Sequence, residues 1–355
     1  MKVFVGLSGG VDSSVSALLL KQQGYDVQAV FMKNWSQHDE HCQLTQDLSD
    51  ATLIAKSLDI NLHVVDFSND YWDNVFEEFL KEIELGRTPN PDILCNQYIK
   101  FDKFYHWCKA HGADKIATGH YAGLTENNHL CTPLDHSKDQ TYFLWAVKPD
   151  VFKDALFPLA HLRKSDVRLI AKEHGLITHN KDDSTGICFI GPKNFRQFLG
   201  QYMIHQPGII RTTRGDAIGT HAGLGLYTLG QRSGLNLGGQ VSYSEDPWYV
   251  VKKDYTINEL IVSQNHADPL LISNHLSAKN IQWQHPMIDD TFNARSRIRH
   301  LQELQECTVY KTSEGVNVLF NNPQRAITAG QSIVFYKDNL CLGGGIIESN
   351  HWKID

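Results

Sequence analysis

The sequence predicts an α/β protein: a doubly wound parallel-sheet domain, then a small central module, then a C-terminal antiparallel β-barrel. Residues 1–203 alternate strand-like and helix-like patterns, as open α/β sheets do. Residues 204–264 are rich in glycine and lose helical periodicity, and residues 265–355 carry short alternating strands separated by turn residues. A chain of 355 residues is long enough to give each of the three units a core.

The period of the apolar residues predicts the elements of the first domain. Short apolar runs predict parallel strands at residues 3–7, 27–31, 62–66 and 115–118. Apolar residues at helical spacing predict helices at 13–23, 48–58, 72–85, 98–111 and 164–174. Such a sheet binds its ligands at the carboxyl ends of the strands.

The second half predicts β structure. Residues 205–265 form a turn-rich module that contains strands, and further strands are expected at 307–310, 316–320, 332–336 and 340–347. Short strands at this spacing are typical of a compact antiparallel barrel.

Composition and charge narrow the class of protein. The seven cysteines are sparse and form no Cys-x-x-Cys pair, which argues against a disulfide-stapled fold and a four-cysteine metal centre. Met1 leads directly into the first strand and no apolar run reaches membrane length, so we expect a cytoplasmic monomer without membrane contact. The net charge of −7 argues against a general nucleic-acid binder, although Arg295, Arg297 and Arg299 form a local basic cluster.

Residues 8–14 (SGGVDSS) join the first strand to the first helix. Two adjacent glycines let the backbone approach a phosphate, and the N–H groups at the helix N-terminus can hold the anion. The string has no lysine and is therefore not the mononucleotide P-loop. The alternative is a tight turn without a ligand, but the agreement of string, placement and position favours ATP binding.

Residues 88–96 (TPNPDILCN) place Asp92 three residues before Cys95. On a helical turn this spacing puts carboxylate and thiol on one face, and Asp92 can cap that helix. A thiol at a helix N-terminus has a lowered pKa and is more nucleophilic. On this string alone, a capping Asp92 and an inert, half-buried Cys95 remain the favoured interpretation.

Residues 183–191 (DSTGICFIG) surround Cys188 with apolar residues, which indicates a core strand and an inert thiol. Gly186 and Gly191 point instead to a mobile loop. This string alone leaves both interpretations open.

Together, the three strings resemble the bacterial tRNA-specific 2-thiouridylase family, whose first domain is a PP-loop N-type ATP pyrophosphatase. The strings at residues 31–35, 117–121, 138–144, 228–232 and 342–347 are similar to that family's too, so the resemblance covers nearly the whole chain. One departure is Leu301, where the family usually has a basic residue. It puts one phosphate contact in doubt.

The resemblance implies a mechanism. ATP, with Mg²⁺ on its phosphates, would adenylate the uracil O2 of a tRNA wobble uridine, and a persulfide carried on Cys188 would attack C2. Cys95 would attack the persulfide, with a transient Cys95–Cys188 disulfide as one outcome, and Asp92 would serve as general acid/base. The implied partners are tRNA and a persulfide donor protein, either a cysteine desulfurase or a sulfur-relay carrier.

The resemblance also assigns binding residues and no resident metal ligand. ATP would be held by Gly6, Leu7, Ser8, Gly9, Gly10, Val11, Asp12, Ser13, Met32 and Gly119. The tRNA would contact Asn90, Pro91, Asp92, His120, Lys138, Asp139, Gln140, Arg299, His300 and Gln331.

Several alternatives compete with this interpretation. Residues 38–42 (HDEHC) could suggest a metal site, but no second ligand pair stands at zinc spacing. Amidotransferase-type synthetases and NAD synthetase share the loop, yet they give the two cysteines no role. Iron–sulfur tRNA thiolases need cysteine pairs that this chain lacks. A non-catalytic nucleotide- or RNA-binding module leaves the loop serines and both cysteines unexplained.

Overall fold

The computed structural model describes residues 1–35, 43–183, 198–203, 205–238, 243–286 and 289–352. Cys188, its predicted disulfide with Cys95, and the 38–42 string lie outside the described residues.

A five-stranded parallel sheet forms the centre of the first domain, as predicted. Its strand order is β3-β2-β1-β4-β7 and every strand pair is parallel, so the order in which the strands are added reverses between β1 and β4. The strands are β1 Lys2–Gly6, β2 Asp26–Lys33, β3 Asn61–Asp66, β4 Lys115–Ala117 and β7 Ala155–Leu156. The sequence missed β7 because two residues are too few to show a period.

Helices cover both faces of this sheet because alternate strand residues face opposite sides. Val3 and Val5 contact one apolar cluster and Phe4 contacts the other. The α-helices are α1 Val11–Gln22, α2 Gln43–Ser57, α3 Ser68–Tyr71, α4 Glu77–Glu84, α5 Pro91–Leu94, α6 Phe104–Ala110 and α7 Lys164–Glu173. π-Helical turns at Trp72–Phe76 and Cys95–Lys103 join α3 to α4 and α5 to α6, and short 3₁₀ turns lie at His136–Lys138, Thr141–Phe143, Pro149–Asp154, Leu224–Leu226 and Pro269–Leu271.

The central module contains a four-stranded sheet in the order β10-β11-β8-β9. Its strands are β8 Gly208–Thr212, β9 Ala217–His221, β10 Tyr249–Asp254 and β11 Glu259–Ser263. The pair β11–β8 is parallel, and the pairs β10–β11 and β8–β9 are antiparallel.

The C-terminal unit is the predicted antiparallel barrel, with six strands closed by pairing of β12 with β17. The strands are β12 Ile272–Trp283, β13 Thr291–Arg297, β14 Gln305–Lys311, β15 Gly315–Arg325, β16 Ser332–Lys337 and β17 Leu340–Ser349. A hairpin of the first domain, β5 Gly123–Leu124 and β6 Leu130–Cys131, extends this sheet at β17. Among the described helices, none is both long and apolar enough to cross a membrane.

A buried ion pair joins the first domain to the barrel. Arg297 Nη1 lies 3.4 Å from Asp139 Oδ2, with side chains only 9% and 1% exposed. The Asp139 carboxylate also accepts hydrogen bonds from the backbone N–H and hydroxyl of Thr141. The guanidinium lies 5.0 Å from the centre of the Tyr336 ring.

Replacing Arg297 with methionine should destabilise the protein by about 3 kcal/mol, because Asp139 would be left charged and buried without its cation. Equilibrium urea unfolding measures this loss. Arg295→Met on the same strand is the matched control, since Arg295 is exposed and should leave stability nearly unchanged. Equal unfolding curves for the two variants would contradict the prediction.

Candidate functional site

The loop between β1 and α1 forms an open anion cradle. Gly9 has a φ of +76°, and a Cβ there would overlap the backbone carbonyl of Asp47. Gly10 is the N-cap of α1, and no side chain caps the helix. The Ser8 and Ser13 hydroxyls lie 3.2 Å apart. Uncapped amides, a helix dipole and two hydroxyls are the donors that a phosphate group needs.

Gly119, which follows β4, lies against the start of α1. A Cβ at Gly119 would come within 2.8 Å of the backbone N of Ser13 and 2.9 Å of the carbonyl carbon of Asp12. A Cβ at Gly6 would lie 3.2 Å from the Cε of Met32 at the end of β2. The residues predicted to hold ATP therefore meet at the carboxyl ends of β1 and β4, where the strand order reverses. This is the usual ligand position in such sheets.

Asp12 belongs to a charged network. Lys164 Nζ donates to both carboxylate oxygens of Asp12 at 2.8 Å, and the Tyr121 hydroxyl donates to Oδ1 at 2.9 Å. Lys164 also lies 2.7 Å from Asp183, which Lys138 and Arg168 contact as well. These cations lower the pKa of Asp183 to about 2, against the opposing effect of burial.

Lys181 ties the glycine loop to α2. Its ammonium donates to the Gly9 carbonyl at 2.9 Å and to Asp47 at 2.8 Å, and it pairs with Asp50 at 2.5 Å. Sequence reasoning missed Lys164, Lys181 and Tyr121. The one available signal was that Lys164 starts a predicted helix, since their distance from Asp12 or Gly9 along the chain leaves no local pattern.

The helix that carries Asp92 and Cys95 begins earlier than predicted. Asn90 is its N-cap and accepts a hydrogen bond from Asp92 N at 3.1 Å, with Pro91 at the first helical position. The expectation that Asp92 caps this helix was therefore wrong. Asp92 lies in the first turn, where the helix dipole favours a carboxylate.

Cys95 is buried, with 1% exposure. Burial is the main cause that raises the pKa of its thiol to about 11, while Lys100 lowers this pKa and Asp92 raises it by smaller amounts. Desolvation outweighs the helix N-terminus, so the structure agrees with the inert, buried thiol that the string alone favours and not with the alternative of a lowered pKa.

The loop after β13 of the barrel places His300 close enough to Asp92 for the two side chains to interact electrostatically. His300 Nε2 lies 2.9 Å from the carbonyl oxygen of Asp139, and its ring centre is 4.4 Å from that of Phe143. Burial lowers the pKa of His300, while Asp139 and Asp92 act in the opposite direction. Asp92, Cys95 and His300 thus line one region between the first domain and the barrel.

Several residues expected to contact tRNA make internal contacts here. His120 is buried and bonded to the Thr118 hydroxyl at 2.8 Å, and burial lowers its pKa well below the usual value. Asp139 is in the buried ion pair described above, and Gln140 accepts from the Tyr121 N–H at 2.9 Å. Lys138 is partly exposed beside Asp183.

Two barrel residues from the same set hold neighbouring loops. Arg299 donates to the carbonyls of Leu229 and Ala326 at 3.0 and 3.1 Å. Gln331 Nε2 donates to the Thr88 carbonyl at 2.7 Å. Leu301 has a φ of +60° and is 48% exposed. A direct phosphate contact by Arg299 or Gln331 would require exchange of these bonds.

Three family models match the chain. They are described as a tRNA methyl transferase HUP domain at residues 1–192, a tRNA methyl transferase PRC-barrel domain at 196–264, and an aminomethyltransferase beta-barrel domain at 273–347. The three matches follow one another in the order of the three structural units.

Curated relatives match nearly the full length. The tRNA-specific 2-thiouridylase MnmA of Marinomonas sp. (strain MWYL1) is 53% identical over 98% of this chain and 90% of its own. The protein of the same name from Colwellia psychrerythraea is 50% identical over 98% of this chain and 96% of its own. Among solved structures, the U34-tRNA thiolase NcsA from Methanococcus maripaludis covers 53% of this chain and 60% of its own at 20% identity, with a TM-score of 0.37, too low to support an argument. Its identity to these relatives over nearly the full length shows that the chain belongs to the tRNA-specific 2-thiouridylase family.

Proposed function

We propose that this protein converts the wobble uridine of tRNA to 2-thiouridine, using ATP and Mg²⁺ and a persulfide as sulfur source. The observation that carries the proposal is that a glycine-lined anion cradle and a helix bearing Asp92 and Cys95 occur in one domain of a 2-thiouridylase family member. In this proposal residues 1–203 form the catalytic domain, residues 204–264 form an adaptor domain, and residues 265–355 form the barrel domain.

The first step activates the substrate. Gly9, Gly10, Ser8 and Ser13 bind the phosphates, and Gly119 leaves room for the nucleotide beside α1. The uracil O2 attacks the α-phosphorus and pyrophosphate leaves, so a poor leaving group becomes AMP. Mg²⁺ would neutralise phosphate charge when bound, and Asp12 is the carboxylate of this loop that would hold it, in exchange for its bonds to Lys164.

The second step delivers sulfur. The terminal sulfur of a Cys188 persulfide attacks C2 and expels AMP, and the Cys95 thiolate attacks Cys188 Sγ to release the thiouridine and leave a disulfide. In an alternative order of these steps, Cys95 first attacks the persulfide and releases sulfide, which then attacks C2. Asp92 acts as the general acid/base at the uracil ring, and an external thiol reductant reduces the Cys95–Cys188 disulfide.

The partners follow from this chemistry. A tRNA with its wobble base turned out of the anticodon stack is the substrate. A cysteine desulfurase or a sulfur-relay carrier supplies the persulfide in the cytoplasm, and the enzyme acts as a monomer. Lys138, Arg299, His300 and Gln331 are partly exposed members of the expected tRNA set, whereas His120 and Asp139 are buried.

Nucleoside mass spectrometry tests the proposal. Unmodified tRNA is incubated with the protein, Mg-ATP and a persulfide donor, and we expect an ATP-dependent product in which sulfur replaces oxygen. A methylated nucleoside formed from S-adenosylmethionine would instead support the activity that two family-model descriptions mention. Well-folded protein that yields no thionucleoside would reject the proposal.

Gly9→Ala should weaken Mg-ATP binding at least about tenfold, which corresponds to about 1.4 kcal/mol. The new Cβ would meet both a left-handed φ and the carbonyl of Asp47, so the cradle must move. Isothermal titration calorimetry measures the affinity. Gly24→Ala is the matched control, because its φ of +82° imposes the same strain with nothing within 4 Å. Equal affinities for the two variants would remove the cradle from the ATP site.

A further inference from the structure

The turn at residues 86–88 lies between two regions already described. It follows α4 and ends two residues before Asn90, the N-cap of the helix that carries Asp92 and Cys95. Its position and orientation therefore set where that helix begins.

The central module contacts this turn through Lys253 of β10. The half-buried Lys253 ammonium donates to the Gly86 carbonyl at 2.6 Å and to the Tyr227 carbonyl at 3.0 Å. Burial lowers its pKa to about 8. A half-buried ammonium that donates to two backbone carbonyls, one from each unit, acts as a cross-link between the first domain and the central module.

Close packing reinforces this cross-link. Gly86 has a φ of +77°, and a Cβ there would overlap the ring of Tyr255. A Cβ at Gly225 would come within 2.8 Å of Ile83 Cγ2 at the end of α4. The central module therefore touches the chain on both sides of Leu85, at distances that leave no room for added atoms.

The barrel holds the other end of the same turn. Thr88 N donates to the Ala329 carbonyl at 2.9 Å, and Gln331 donates to the Thr88 carbonyl at 2.7 Å. A Cβ at Gly330, whose φ is +90°, would lie 2.7 Å from Thr88 N. Both C-terminal units thus converge on three residues of the first domain.

We propose that Lys253 is a positioning residue for sulfur transfer, and that the turn at 86–88 is the element through which both C-terminal units set the position of Asp92 and Cys95. This inference rests on the proposed function for its catalytic consequence. A tRNA that docks across the units would act on the pocket through this turn, because its ends are bonded to each unit separately.

Hydrogen–deuterium exchange on the full-length protein tests the structural part. In Lys253→Met, peptides covering residues 84–96 should exchange about tenfold or more faster, the equivalent of one lost charge-assisted hydrogen bond. Peptides from β1 and α1 should exchange at the wild-type rate. Lys252→Met is the matched control, since Lys252 lies next on the strand, is exposed and pairs with Asp254.

Kinetics test the functional part. The kcat for 2-thiouridine should fall about tenfold to a hundredfold in Lys253→Met, as small displacements of reacting groups do, while the KM for ATP stays unchanged. If Lys253→Met does not fold, Lys253→Gln, which keeps one amide donor, replaces it. Unchanged exchange at 84–96, faster exchange spread over the whole protein, or an unchanged kcat would each overturn the inference. If wild-type protein forms no 2-thiouridine, the proposed function fails, and the exchange data still decide whether Lys253 holds the turn.

Discussion

Replacing Cys95 with serine should abolish 2-thiouridine formation while tRNA-dependent pyrophosphate release continues. The serine hydroxyl is close in size to the thiol, so the buried site at the start of the helix should keep its packing. A hydroxyl cannot attack a persulfide or close a disulfide, and the sulfur step alone should therefore stop. Thionucleoside and pyrophosphate are measured in the same reaction.

Cys108→Ser is the matched control for this variant. Cys108 is also a free, buried cysteine of the first domain, in α6. It lies in the apolar core and is not one of the predicted site residues, so thiolation should continue. Wild-type thiolation by Cys95→Ser would reject the role of Cys95, and parallel loss in Cys108→Ser would show that the assay reports folding.

The raised pKa of Cys95 predicts how the rate of its alkylation depends on pH. Because burial favours the neutral thiol and raises its pKa to about 11, the buried Cys95 is protonated at neutral pH. Alkylation by iodoacetamide should therefore be slow at neutral pH and rise steadily towards the pKa. Addition of tRNA and ATP should accelerate alkylation if the thiol becomes exposed and ionises, because Lys100 lowers its pKa.

The fold was predictable where the local pattern of apolar and polar residues reflects which residues are buried. Three of the four predicted strands, β1, β2 and β4, are apolar runs because both faces of the sheet are covered there, whereas the edge strand β3 is only partly buried. Strand β12 escaped prediction because polar residues such as Asn274 and Lys279 interrupt its alternation. In β13 the burial does alternate over residues 291–295, but its less exposed residues there are only Phe292 and Ala294, too few apolar residues for a clear period of 2.

The site was predictable only where it is contiguous. Residues 8–14 and 88–96 are strings whose chemistry can be inferred locally. The bonds that position them, from Lys253 to Gly86 and from Lys164 to Asp12, join residues 167 and 152 positions apart. No period or motif records such a contact. The burial of Cys95 and His120 likewise depends on units that fold from distant parts of the chain.

Asp12→Asn should lower tRNA-dependent pyrophosphate release about a hundredfold, the size of effect seen when one preorganised electrostatic group is removed. The amide keeps the shape of the side chain and can still accept from Tyr121, so the loss isolates the charge. In the wild type this carboxylate holds Lys164 through both oxygens at 2.8 Å. Asp150→Asn, at an exposed ion pair with Lys153, is the control and should change nothing.

The Mg²⁺ dependence of this variant distinguishes two ways in which Asp12 could act. If the carboxylate binds Mg²⁺ on the phosphates, Asp12→Asn should need more Mg²⁺, and excess Mg²⁺ should partly restore pyrophosphate release. If it acts by holding Lys164, excess Mg²⁺ should restore nothing and Lys164→Met should show the same defect. Lys164 keeps Asp183 at 2.7 Å in either case, so the ammonium stays near the cradle. Wild-type release in Asp12→Asn at limiting Mg²⁺ would exclude both roles and confine the chemistry of the loop to its backbone amides and serines.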